Sequence, residues 1–186
     1  MVHLRKARIE DEAKVLTWRN SPAVATFMYR DDPISQDEHQ RWFQNILEDS
    51  ASSRVRILES DSQASGLASL TKIDLRNRSC EWGGYLAPEI DRGGGVGRAM
   101  LFLSLEHAFE ELDLNRVAVE VIVGNDAAIK LYESIGFLQE GLLRERAFRR
   151  SGPVDALILA MLRSEWTENK KENKKGLVAR GLLTER

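Results

Sequence analysis

Arg92-Gly93-Gly94-Gly95-Val96-Gly97-Arg98 is the stretch of this 186-residue chain whose residue types and spacing bear most directly on chemistry. Glycine has no Cβ, so consecutive backbone N–H groups can crowd around an anion. The run follows a strand-like segment, Glu81 to Leu86, and opens an amphipathic helix whose N-terminus adds a partial positive charge. Loop and helix together form a diphosphate cradle. Two familiar nucleotide loops fail on single residues. A dinucleotide fingerprint needs a third glycine where Arg98 or Met100 stands, and a P-loop needs Gly-Lys-Ser/Thr where Gly97 is followed by Arg98-Ala99. A glycine-rich surface turn is the alternative for the loop alone. Its position between a strand and an amphipathic helix counts against that reading without removing it.

The elements that must position this loop read as alternating strands and helices. Strands are expected at His3 to Ile9, Arg54 to Glu59, Ser65 to Ile73, Cys80 to Leu86, Arg116 to Val123, Glu140 to Phe148 and Val154 to Leu162. A short helix is expected over Asp11 to Arg19. Ser35-Gln36-Asp37-Glu38 is a capping-box pattern with Ser35 as N-cap, and the helix after it puts His39, Trp42, Phe43, Ile46 and Leu47 on one face. Beyond the glycine loop, Leu101, Leu105, Ala108 and Leu112 form one stripe. Asn125 reads as an N-cap, and Gly136 ends a helix that carries Ala128, Leu131, Tyr132 and Ile135 on one face. The order defines an α/β chain with a mixed sheet.

Composition limits the function classes. The chain is 42% hydrophobic and 30% charged, with a formal net charge of -2, so one domain with a sizeable core is expected and a basic nucleic-acid face is not. The single Cys80 excludes an internal disulfide framework and suits a reducing cytoplasm. Cys80 lies on the opposite strand face from Glu81, with no activating histidine near it in sequence, and reads as core rather than nucleophile. No apolar run reaches membrane-spanning length, no signal-peptide core is present, and a cytoplasmic location is the expectation.

Two stretches carry a resemblance. Arg92-Gly93-Gly94-Gly95-Val96-Gly97 resembles the Arg/Gln-x-x-Gly-x-Gly/Ala signature of the GNAT acetyltransferase superfamily. Asn125-Asp126-Ala127-Ala128-Ile129-Lys130-Leu131-Tyr132-Glu133-Ser134-Ile135-Gly136-Phe137 resembles its second signature, in the right order and one helix and one strand later. Gly94 departs from the pattern, since many members carry lysine there. The resemblance implies an α/β GNAT fold, a mixed, mostly antiparallel sheet of about seven strands flanked by helices. It covers the chain from the first strand to about Leu162, and a single domain is expected at residues 1–166; from Thr167 the chain turns polar, and 167–186 reads as a solvated helix end or a disordered tail.

The resemblance implies acetyl-CoA as co-substrate and no metal. The diphosphate would lie on the backbone of Arg92, Gly93, Gly94, Gly95, Val96, Gly97 and Arg98. The amide-rich pantetheine arm would pair with Tyr85, Leu86 and Ala87 like an added strand, through a splay between that strand and Val117 to Ile122, with Asn125 hydrogen-bonding the arm. By the same analogy the Leu86 N–H is the oxyanion donor, Tyr132 the general acid and Glu81 the general base. The alternatives stay open: Tyr132 shares its stripe with core residues, and Glu81 equally reads as a solvated strand carboxylate.

On the acceptor side, Trp18-Arg19-Asn20, Met28-Tyr29, Ile34-Ser35 and His39-x-x-Trp42-Phe43 resemble the amino-sugar branch, the pseudaminic-acid-pathway N-acetyltransferases. Those enzymes acetylate the 4-amino group of a UDP-linked dideoxy sugar. The implied contacts are Arg19, Met28, Tyr29, His39, Thr71, Lys72 and Tyr85. Arg19 and Lys72 would meet the UDP diphosphate, and Tyr29 or Phe43 would stack on uracil. His39 also reads as a satisfied core histidine, and Arg19 as an ordinary helix-ending cation. Enzymes acting on a protein N-terminus, a polyamine or an antibiotic are the rival class, and a non-catalytic acyl-CoA-binding module a third. A polyamine pocket needs clustered carboxylates, and the Pro22 to Ile34 loop offers only Asp31 and Asp32. A homodimer is expected on family analogy alone.

Overall fold

The computed structural model describes residues 1–185. Seven strands form one sheet: β1 (Val2–Lys6), β2 (Arg54–Ser60), β3 (Gln63–Asp74), β4 (Ser79–Leu86), β5 (Arg116–Ile122), β6 (Leu138–Arg149) and β7 (Gly152–Leu162). Their spatial order is β1-β2-β3-β4-β5-β7-β6, and every adjacent pair is antiparallel except β4 with β5. This is the mixed, mostly antiparallel sheet expected. Helices α1 (Glu12–Asn20), α2 (Pro22–Ala25) and α3 (Gln36–Ile46) link β1 to β2. Helix α4 (Val96–Glu106) continues as a π-helical turn, His107–Glu111, and joins β4 to β5. Helix α5 (Asp126–Ile135) joins β5 to β6, and α6 (Arg163–Ala179) follows β7.

Strand alternation divides the core in two. Val117, Val119 and Val121 of β5 face a large cluster with Leu101, Phe102, Leu105 and Phe109 of α4 and its continuation, Tyr132 and Ile135 of α5, and Trp166 and Leu177 of α6. The opposite face, with Val55, Ile57, Leu67 and Ala87, packs a smaller cluster of Val15 and Trp18 from α1 and Phe43 from α3. Helix α4 is apolar nearly all round because it is covered by both the sheet and α6. Cys80 is buried in the larger cluster as expected, and burial pushes its thiol up to about 12.

Two local expectations are corrected. Ser35 does cap α3, its Oγ accepting the Glu38 N–H at 3.3 Å, but the Glu38 carboxylate turns outward to Arg30 instead of closing the capping box. Of the two readings of the segment from Thr167, the helix holds and the disordered tail does not: it is the body of α6, which is not merely solvated but buries Trp166, Asn173 and Leu177 against the core. Its charged residues are numerous enough to hide a one-sided apolar stripe.

Candidate active site

The parallel junction of β4 and β5 is short. Pairing runs only through Ser79–Arg116, Cys80–Val117 and Glu81–Ala118, and beyond it the two strands separate. The crossover through α4 forces this arrangement, because only a parallel neighbour needs a connection of that length. Backbone direction alternates along β4. The Arg78 carbonyl accepts the Arg116 N–H on the β5 side, and the Ala87 N–H donates to the Ser65 carbonyl on the β3 side. The backbone groups of Gly84 and Leu86 therefore open into the splay. Those of Tyr85 and Ala87 point toward β3. Ala87 is fully engaged elsewhere, its carbonyl accepting the Ile90 N–H at 3.1 Å.

The glycine loop stands at the mouth of this splay. Gly95 caps α4 at φ 89°, a left-handed conformation, and Gly93 lies at φ 133° with open space where a Cβ would stand. Val96, Gly97 and Arg98 occupy the first helical turn, whose N–H groups have no intrahelical acceptor. A diphosphate fits this cradle. The motif's two arginine side chains turn away from it. Arg92 donates to the Ala23 carbonyl of α2 at 2.8 Å. Arg98 donates to Ser134 Oγ, the Ser134 carbonyl and Asn173 Oδ1 at 2.7, 2.9 and 2.6 Å, tying α4 to α5 and α6. Their expected contribution is thus confined to backbone.

Asn125 caps α5, its side chain accepting the Ala128 N–H at 3.4 Å. Tyr132, one turn further on, packs edge-on against Trp82 at 5.9 Å and against Phe137 at 5.6 Å. It is 7% exposed, and burial raises its hydroxyl pKa well above that of free tyrosine, so the phenol stays protonated at neutral pH. The neighbouring Trp82 indole N–H is buried without a partner.

On the opposite sheet face, side chains distant in sequence converge. A bulge after Thr71 puts Lys72 at φ 49°, and its ammonium meets Glu81 at 2.8 Å. The resemblance implies separate roles for these two, Lys72 at the acceptor and Glu81 in proton removal. Thr71 is the cross-strand partner of Glu81. Glu120 of β5 was missed entirely. It receives the Tyr29 hydroxyl at 2.6 Å and Arg146 Nε at 2.8 Å, and the Arg146 guanidinium lies 5.0 Å from the Tyr29 ring centre. Burial works to raise the Glu120 pKa, but the two hydrogen bonds outweigh it and the carboxyl sits below its ordinary range. Only its parity with Ala118 and Ile122, one charge in an apolar strand, could have flagged it.

A cavity of about 310 Å³ is lined by Arg19, Ile34, Glu38, His39, Trp42, Leu67 and Tyr85. The Arg19 Nη2 donates to the Arg30 carbonyl at 2.8 Å, while its Nη1 is buried without a partner. Burial lowers the Arg19 pKa. His39 is 2% exposed and its Nε2 lies 3.0 Å from the Glu12 carbonyl, the arrangement of a satisfied core histidine, and its ring also lines the cavity. Phe43 is fully buried and cannot stack on a base, whereas Trp42 is 41% exposed and can. Met28 is half-buried in the loop between α2 and α3. Asn20 holds that loop, bonding both the N–H and the carbonyl of Ile34.

Residues 2–138 match the family described as the acetyltransferase (GNAT) domain, and the chain belongs to that family. It is an acetyl-CoA-dependent N-acetyltransferase acting on amines. It is 28% identical over 147 residues to spermidine N(1)-acetyltransferase of Vibrio cholerae, covering 79% of this chain and 84% of that one. It is 30% identical over 123 residues to acetyltransferase PseH of Campylobacter jejuni, covering 66% and 74%. The crystal structure of the Vibrio cholerae spermidine N-acetyltransferase with CoA and spermine superimposes with a TM-score of 0.81 at 27% identity, covering 89% of this chain and 98% of that one. No group of metal-ligating side chains occurs among the described residues, and no helix there is long and apolar enough to cross a membrane.

Proposed function

We propose that the acceptor is an anionic, ring-bearing primary amine, best matched by the 4-amino group of a UDP-linked amino-dideoxy sugar, acetylated by direct transfer in a ternary complex. The observation that carries this is Arg19. It lines the cavity with no carboxylate paired to it among the described residues. A half-buried unpaired guanidinium attracts a phosphate and repels a polyamine. Trp42 beside it offers an exposed aromatic platform for a base. The two loop carboxylates that a polyamine would use are engaged elsewhere, Asp31 with Arg149 at 3.7 Å and Asp32 with Arg150 at 2.9 Å.

Acetyl-CoA supplies the activated acetyl group. The Leu86 N–H would donate to the carbonyl oxygen as negative charge develops there. Tyr132 would protonate the departing sulfur, a role its high pKa permits. Glu81 remains in reach of the splay but holds Lys72. Glu120, ionised and on the same face, is a second candidate for drawing the proton from the attacking amine, but its hydrogen bonds from Tyr29 and Arg146 make it the weaker base.

A second reading rests on that same pair of carboxylates. Glu81 and Glu120 flank the splay, and an acceptor ammonium could replace Lys72 or Arg146 on them, as a polyamine or a peptide N-terminus would require. Thiol release from acetyl-CoA, measured against UDP-4-amino-4,6-dideoxy sugars, spermidine and short peptides, separates the two. Turnover of the UDP-amino sugars above the others supports the first reading; turnover of spermidine or a peptide without any UDP-amino sugar overturns it.

A further inference from the structure

The C-terminus of α6 ends in a built structure directly over the glycine loop. Helix α6 stops at Arg180, and Gly181 adopts φ 69°. The Gly181 N–H donates to the Val178 carbonyl at 2.8 Å and the Leu182 N–H to the Leu177 carbonyl at 3.1 Å. This is the Schellman arrangement, which fixes the helix end and the chain direction beyond it. Leu182 is anchored twice more. Its carbonyl accepts the Val2 N–H at 3.0 Å, and its side chain packs on the main core. It lies so near Gly95 that a Cβ there would come within 2.9 Å of Leu182 Cδ1.

Arg180 is thereby held beside the loop. Its Nη1 approaches the Gly93 carbonyl at 3.5 Å, and Nη1 and Cδ would lie 3.3 and 3.4 Å from a Cβ on Gly95. The 3.5 Å contact is long enough to be exchanged for a better acceptor. No carboxylate is paired with Arg180 among the described residues, and it lies close enough to Arg98 for the two cations to repel. The motif's own arginines are spent on Ala23, Ser134 and Asn173, and Gly94 has no side chain. Arg180 is thus the cation left at a cradle otherwise built of backbone.

We propose that Arg180 is the side-chain ligand of the acetyl-CoA diphosphate, supplied from the C-terminal end of α6 in place of the side chain absent at Gly94. The proposal rests on the loop taking the diphosphate. Its test is direct binding by calorimetry, with CoA, dephospho-CoA and phosphate-free pantetheine as probes. Arg180→Ala is expected to weaken CoA and dephospho-CoA by about tenfold, the scale of one charge-assisted hydrogen bond, and to leave pantetheine unchanged. Arg180→Lys should restore part of the loss, and Gly94→Lys in the Arg180→Ala background should restore more. Unchanged CoA affinity in Arg180→Ala overturns the proposal. So does a loss that vanishes with dephospho-CoA, which would move the contact to the 3′-phosphate. An equal loss for pantetheine would show a structural role and overturn it too. If the unaltered protein binds CoA no better than pantetheine, the loop itself does not hold the diphosphate.

Discussion

The proposed donor and acceptor sides of this enzyme are built on different principles. The donor side is backbone: a glycine-capped helix start, an open strand edge and a short parallel junction. Side chains there mostly brace the frame, as Arg98 does by joining α4 to α5 and α6. The acceptor side is side chain throughout. Tyr29 meets Glu120 across 91 residues, Lys72 reaches Glu81 through a bulge, and Arg149 and Arg150 of the β6–β7 hairpin hold the loop after α2. A backbone site takes a ligand common to a whole family, because any sequence that makes the fold makes the site. A side-chain site can be rewritten residue by residue. The contrast fits relatives of similar identity whose names point to different acceptors.

The sharpest test of the contrast is Tyr132→Phe. It is expected to lower kcat by roughly tenfold to a thousandfold with acetyl-CoA affinity nearly kept, since only the proton is lost. Steady-state kinetics with calorimetric binding would check it, and unchanged kcat would return Tyr132 to the core. Next, Glu81→Gln should lower kcat by about tenfold or more, and more than Glu120→Gln does. The reverse order would make Glu120 the base.

A change confined to the acceptor side is expected from Arg19→Gln. It should raise the acceptor KM by about tenfold while the acetyl-CoA KM is unaffected. An equal rise in both would break the division between the two sides. On the donor side, Gly95→Ala should cost about 1–2 kcal/mol of stability, through its positive φ and the Leu182 contact, whereas Gly94→Ala should be close to neutral. Urea denaturation measures both.

The smallest effect concerns pH. The folded pKa of Glu120 lies below its unfolded value, so its stabilisation is complete above the ordinary glutamate range and is lost as pH falls through the folded value. The stability gap between the protein and Glu120→Gln should therefore narrow on acidification below about pH 4.3. A gap that widens instead would mean that Glu120 is not held ionised by Tyr29 and Arg146.

Much of the frame was legible because its signals are local. Gly95 and Gly136 end or begin helices through backbone geometry that neighbouring residues reveal, and Asn125 caps the helix that follows it. Val117, Val119 and Val121 announce a buried strand face by their period. Other residues misled for equally physical reasons. Glu38 had a local partner in the capping box and took a distant one, Arg30. Phe43 and Trp42 are adjacent on α3, and only packing decides which is swallowed by the core. Helix α6 has so many lysines and glutamates that its three buried positions, Trp166, Asn173 and Leu177, do not stand out.

By itself the sequence determined the donor: the glycine run, the later Asn-to-Phe signature and the strands around them act through short-range backbone geometry, which chain order preserves. Only the tertiary structure decided which charges remain unspent. Arg92, Arg98 and Lys72 carry the same charge as Arg19 and Arg180, yet Lys72 meets a carboxylate and Arg98 is taken up by three oxygens of α5 and α6, whereas Arg19 keeps Nη1 without a partner and Arg180 makes one 3.5 Å contact to a carbonyl. Charge pairing acts through space across tens of residues of chain, so the side chains available to a ligand are known only once the fold has satisfied the rest.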